Sequence, residues 1–88
     1  MTQSTSVIFG VVKDRSGNPV SQARVSFSSG PVPLPDIAAL TDVNGIFTLS
    51  APAAGSYTIE VISDQFAPMK TDITVVSGQE EHIEIRLP

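Results

Sequence analysis

Residues 41–61, TDVNGIFTLSAPAAGSYTIEV, decide the fold. Apolar side chains take every second position, Phe47 and Leu49 and then Tyr57, Ile59 and Val61, with Pro52 and Gly55 between the two runs. Strands turn successive side chains to opposite faces, whereas helices repeat every ~3.6 residues, so the spacing predicts two half-buried strands with a break between them. Asp42-Val43-Asn44-Gly45 sets an Asn-Gly pair directly before Ile46, the strongest short signal for a hairpin.

The same alternation continues on both sides. Strands are expected at Val7–Lys13, Gln22–Ser28, Ala38–Thr41, Ile46–Ser50, Ser56–Ile62, Lys70–Val76 and Glu81–Leu87, each bounded by Gly, Pro, Asn or Asp. Asp14-Arg15-Ser16-Gly17-Asn18-Pro19 carries an Asx acceptor, a glycine for positive φ and a proline, so the chain reverses there. Only Asp36–Leu40 offers a turn of helix, with Asp36 as its cap. Short strands at regular spacing predict an all-β, seven-stranded Greek-key β-sandwich. Pleating assigns Ile8, Val12, Ala23, Val25, Phe27, Phe47, Leu49, Tyr57, Ile59, Val61, Ile73, Val75, Ile83, Ile85 and Leu87 to its core. Phe9, Val11, Ile46, Ile62 and Val76 are apolar residues on outward faces.

Eighty-eight residues hold one small domain, expected at 7–88 after a disordered tail of residues 1–6. Hydrophobic residues at 41% against charged residues at 16% exclude a disordered chain. So small a domain leaves little volume for an internal catalytic cavity. A net charge of -4, with five basic residues scattered singly, argues against nucleic acid and against an anionic membrane surface. No apolar run approaches the ~20 residues of a membrane span. With no cysteine, disulfides, thiolate metal sites and thiol nucleophiles are excluded. Met1–Ser6 lacks the basic and apolar regions of a leader, which points to the cytoplasm and leaves an extracellular location open for a chain trimmed or exported without a leader.

Ile8-x-Gly10-x-Val12-x-Asp14, Gly17-x-Pro19-Val20, Ala23-x-Val25, Thr41-Asp42-x-x-Gly45-x-Phe47-x-Leu49 and Pro52-x-x-Gly55-x-Tyr57-x-Ile59-x-Val61 together resemble the carboxypeptidase regulatory-like domain family. The resemblance spans residues 7 to about 87 and implies a transthyretin-like, immunoglobulin-like sandwich. It implies an accessory role as well, since members mostly brace enzymes, dock onto larger assemblies or act as spacers at cell surfaces. Related transthyretin-like modules serve as adaptors on bacterial injection-system spikes. The matching residues are turn and core residues, so the site must be argued separately. The hydrolase branch of this fold carries His-Arg-Gly-Ser and Tyr-Arg-Gly-Ser motifs that are missing here. Intradiol dioxygenases of similar architecture bind iron through Tyr and His pairs, whereas this chain has one Tyr and one His.

One segment departs from the family. Between Val25 and Thr41 runs Ser28-Ser29-Gly30-Pro31-Val32-Pro33-Leu34-Pro35-Asp36-Ile37, with three prolines at alternate positions favouring an extended, preorganised backbone. Its apolar content supports two readings, a crossover that seals the sandwich or a recognition loop. The second gives the candidate protein-interaction residues Phe9, Val11, Pro31, Val32, Pro33, Leu34, Pro35 and Ile37. They would serve a protein partner or self-association, including a homodimer formed if Phe9-Gly10-Val11 lies on an edge strand.

Other chemistry finds little support. His82, the single histidine, takes an outward position among Glu80, Glu81 and Glu84, so no catalytic residue is expected. Asp36, Asp42 and Asn44 lack the spacing of a calcium loop, and no cofactor or metal is expected. Lys13 and Glu60 lack the last-strand Asn or Asp of an isopeptide cross-link. The expectation is a non-catalytic docking module, with a structural spacer or a small-ligand or carbohydrate binder as alternatives. The last needs a groove between the proline loop and Asn44-Gly45.

Overall fold

The computed structural model describes residues 6–32 and 38–88. Its strands are β1 (Ser6–Lys13), β2 (Arg24–Ser29), β3 (Ala39–Leu40), β4 (Ile46–Ala51), β5 (Gly55–Ile62), β6 (Met69–Val75) and β7 (Glu81–Arg86), each within two residues of its expected bounds. Ser6, assigned above to the tail, is the first residue of β1, where its hydroxyl donates to the Val76 carbonyl at 3.0 Å. Residues 1–5 lie outside the described residues.

The strands form a sheet in the order β4-β1-β7 and a sheet in the order β3-β2-β5-β6. Every ladder is antiparallel except the β1–β7 ladder, which is parallel. The inner faces meet in a core of Ile8, Val12, Val25, Phe47, Leu49, Tyr57, Ile59, Val61, Val75, Ile85 and Leu87, joined by Val20, Ala23 and Ala51. Phe27, Ile73 and Ile83 pack against its rim, partly buried. Gly10 pairs with Phe47 across β1 and β4. A Cβ on Gly10 would collide with the Phe47 ring, so the bare backbone is the floor on which that ring lies.

Two expectations need correction. β1 is the central strand of its sheet, with β4 on one side and β7 on the other, so it has no free edge for pairing with a second copy. Its central position also explains the apolar outer residues, because neighbouring strands half-bury Val7, Phe9 and Val11. Asn44-Gly45, second, closes no hairpin. The turn carries the chain from β3 in one sheet to β4 in the other. Of the two residues only Gly45 takes a positive φ, 75°, whereas the hairpin turn that favours Asn-Gly needs both.

Side chains hold the connections. Asp14 Oδ1 accepts from the Ser16 and Asn18 amides, both at 2.9 Å, and Asp42 Oδ1 accepts from the Asn44 and Ile46 amides at 2.8 and 2.9 Å. Thr41, buried, donates its hydroxyl to the Val20 carbonyl at 2.7 Å and accepts from the Ala23 amide at 2.9 Å. That tie holds the bend where Gln22 adopts φ 59° and delays the start of β2. Tyr57 points inward as expected, and its hydroxyl donates to the Ala53 carbonyl at 2.6 Å, fastening the crossing from β4 to β5 in the manner of a tyrosine corner.

The parallel β1–β7 ladder decides the chain's path. Register runs from Ile8 beside Glu81 to Lys13 beside Arg86, so the chain enters at the start of β1 and leaves past the far end of β7. The entry end also carries Gly30–Val32, Pro52–Gly55 and Val76–Glu80. At the exit end lie Asp14–Pro19, Asp42–Gly45 and Ser63–Pro68.

Candidate docking surface

Phe9 and Val11 share the outward face of the three-stranded sheet. The Phe9 ring stacks on His82, its register partner on β7, with centroids 5.2 Å apart and planes 18° from parallel. Val11 lies beside Glu84 on β7 and Ile46 on β4, and a shallow open depression is lined by Phe9, Val11, Ile46, His82 and Glu84. Exposed Ile46 is the outermost apolar group of this row. Glu84 receives Arg86 Nη2 at 2.9 Å and lies 3.7 Å from Lys13 Nζ. The Arg86 hydrogen bond, with the Lys13 charge behind it, holds the Glu84 carboxyl below its ordinary pKa. The face is therefore an apolar strip beside a compensated charge cluster.

Pro31 and Val32 stand elsewhere, exposed at the entry end where the chain leaves β2 in the opposite sheet. Pro31 lies over Gly55, where a Cβ would come within 2.8 Å of Pro31 Cγ and where φ is 140°. The proline segment thus begins by packing on the β4–β5 connection. Pro33, Leu34, Pro35, Asp36 and Ile37, four of them candidate interaction residues, lie outside the described residues. Gly30–Val32 and Asn44-Gly45 occupy opposite ends of the sandwich, so the described residues form no ligand groove between them. His82, as partner to Phe9, was missed because alternation fixes the face of a residue but not its neighbour. Leu40 and Ile62 were not singled out together either, yet both flank Arg24 in register on the outer face of the four-stranded sheet.

The remaining polar residues are committed elsewhere. Tyr57 faces the core from β5 while His82 faces outward from β7, so the two cannot share a ligand. Lys13 and Glu60 lie on the outer faces of different sheets, too far apart to condense. Asp42 is occupied with turn amides. Among the described residues no cluster of three or more His, Asp or Glu side chains has metal-ligand geometry.

A seven-stranded, two-sheet sandwich whose outer faces carry apolar strips and solvated charges defines a β-sandwich module. The chain belongs to the carboxypeptidase regulatory-like domain family, whose pattern matches residues 7–88. It is 36% identical over 77 residues to the inverse autotransporter adhesin YeeJ of Escherichia coli K12, an alignment covering 83% of this chain and 3% of the adhesin. The chain thus spans a small fraction of that relative. The major pilin subunit BcpA of Bacillus cereus superposes with a TM-score of 0.75 at 14% identity, over 94% of this chain and 28% of the pilin. Hydroxyquinol 1,2-dioxygenase from Pseudomonas putida DLL-E4 superposes with a TM-score of 0.74 at 10% identity, over 99% of this chain and 57% of the enzyme. At such identities the two structures share the fold and nothing more is carried over.

Proposed function

We propose that this chain is a non-catalytic structural module of a larger bacterial surface protein, a spacer that extends its host along one axis. The observation that carries this reading is the chain path. A module whose termini emerge at opposite ends adds its own length to whatever it joins, whereas one with adjacent termini hangs to the side. The adhesin relative supplies the setting in which such a module would be used. Small-angle scattering of one, two and three copies joined in tandem tests it. Each added copy should lengthen the particle by at least ~25 Å, the span of an eight-residue strand at ~3.3 Å per residue. A maximum dimension that fails to grow with copy number would reject the spacer.

A second reading is favoured by the outward apolar strip of half-buried Phe9 and Val11 with exposed Ile46, and by Pro31 and Val32 at the entry end. Here the module also docks a protein partner, through the strip, the proline segment or both, as an adaptor in a larger assembly. Light scattering and binding assays on Ile46→Ser and Val32→Ser variants test it. Reduced association supports docking; association unchanged in both removes it.

A further inference from the structure

We propose that the β1–β7 ladder is a mechanical clamp that resists tension applied between the two termini. The inference rests on the spacer reading, in which neighbouring modules pull on this one along its axis. Tension at the N-terminus draws β1 toward the entry end, and tension at the C-terminus draws β7 toward the exit end. The two strands are adjacent, parallel and in register from Ile8 beside Glu81 to Lys13 beside Arg86. Pulled in opposite directions along their length, they load all their shared backbone hydrogen bonds together, and none yields until the whole row slides. A single hydrogen bond contributes little net, so resistance comes from breaking many at once rather than from any one.

Three further features reinforce the row. The Leu87 amide donates to the Lys13 carbonyl at 2.7 Å and extends the ladder beyond β7. Phe9 stacks on His82 near its beginning, and Lys13 approaches Glu84 near its end. β1 is also gripped on its other side by β4, from Ser6 beside Ala51 to Val11 beside Ile46. Among the described residues β7 pairs with β1 alone, so its ladder to β1 is the row that sets the strength of the module. Phe9 and His82 thereby acquire a role that outward exposure alone does not explain.

Direction of pull is the test, because the same bonds loaded from one end open in sequence. Arg15, exposed in the turn after β1, stands at the exit end beside the C-terminus. The sequence contains no cysteine, so Arg15→Cys creates a unique attachment point. Single-molecule force spectroscopy would compare the full chain pulled between its own termini with the Arg15→Cys chain pulled between residue 15 and the C-terminus. Urea titration of the variant first establishes that its stability is unchanged. At equal loading rate, the termini should require a several-fold higher unfolding force than the residue 15 geometry, and Phe9→Ser should lower the first force proportionately more than the second. Equal forces, or a weaker response between the termini, would overturn the clamp while leaving the tandem-length result intact. Tandem copies that fail to lengthen would remove the spacer without altering the force ratio.

Discussion

Replacing Thr41 by Val keeps the side-chain shape and removes the hydroxyl. That oxygen partners two backbone groups of the β1–β2 connection, the Ala23 amide at 2.9 Å and the Val20 carbonyl at 2.7 Å, at a residue only 3% exposed. Losing a buried hydrogen bond costs about 1 kcal/mol net, and stranding the buried Ala23 amide raises the cost to about 2–3 kcal/mol. In a domain of this size each kcal/mol moves the midpoint by roughly 4–8 °C, so Tm should fall by roughly 10–20 °C. Thr41→Ser keeps the oxygen and loses one methyl, about 0.8 kcal/mol. Calorimetry together with urea denaturation of the three proteins measures the difference. The reasoning is refuted if the valine variant is as stable as wild type or no less stable than the serine variant.

Gly10→Ala forces a Cβ into the Phe47 ring and should cost about 1–3 kcal/mol by overpacking. Adding Phe47→Leu should cost less in the Gly10→Ala background than in wild type, a coupling that a double-mutant cycle of urea midpoints reads. Tyr57→Phe removes the hydroxyl that binds both the amide and the carbonyl of Ala53 and should lower stability by about 1–2 kcal/mol in the same titration. The Asn18 amide, with the Ser16 amide beside it, holds the Asp14 carboxyl below its ordinary pKa. Its contribution is therefore complete above the ordinary carboxylate range near ~4 and lost as pH falls through the lowered folded value. Stability of Asp14→Asn measured against wild type should converge as the solution is acidified below that range.

Strands were legible because pleating writes its period directly into neighbouring residues, as Phe47 and Leu49 or Ile83 and Ile85 show. Turns were legible where one carboxylate gathers successive amides, as Asp14 and Asp42 do. Strand order was not. Nothing near Val7–Lys13 or Glu81–Leu87 marks those segments as parallel neighbours, since they come from opposite ends of the chain and pair only through long-range packing. The same ignorance of neighbours left an edge position open for Phe9 and hid that His82, solvated as expected, is its stacking partner. Asn44-Gly45 announced a reversal correctly, but a dipeptide carries no information about whether its flanking strands share a sheet. Of the candidate interaction residues, Phe9 and Val11 are half-buried by the strands beside them, while Pro31 and Val32 stand in another region.

Interstrand backbone nuclear Overhauser contacts in the isotope-labelled protein test the end-to-end chain path most directly. Residue numbers on β1 and β7 should rise together, Phe9 meeting His82, Val11 meeting Glu84 and Lys13 meeting Arg86. Contacts that rise along one strand while falling along the other, or that pair β7 with any strand but β1, would contradict it.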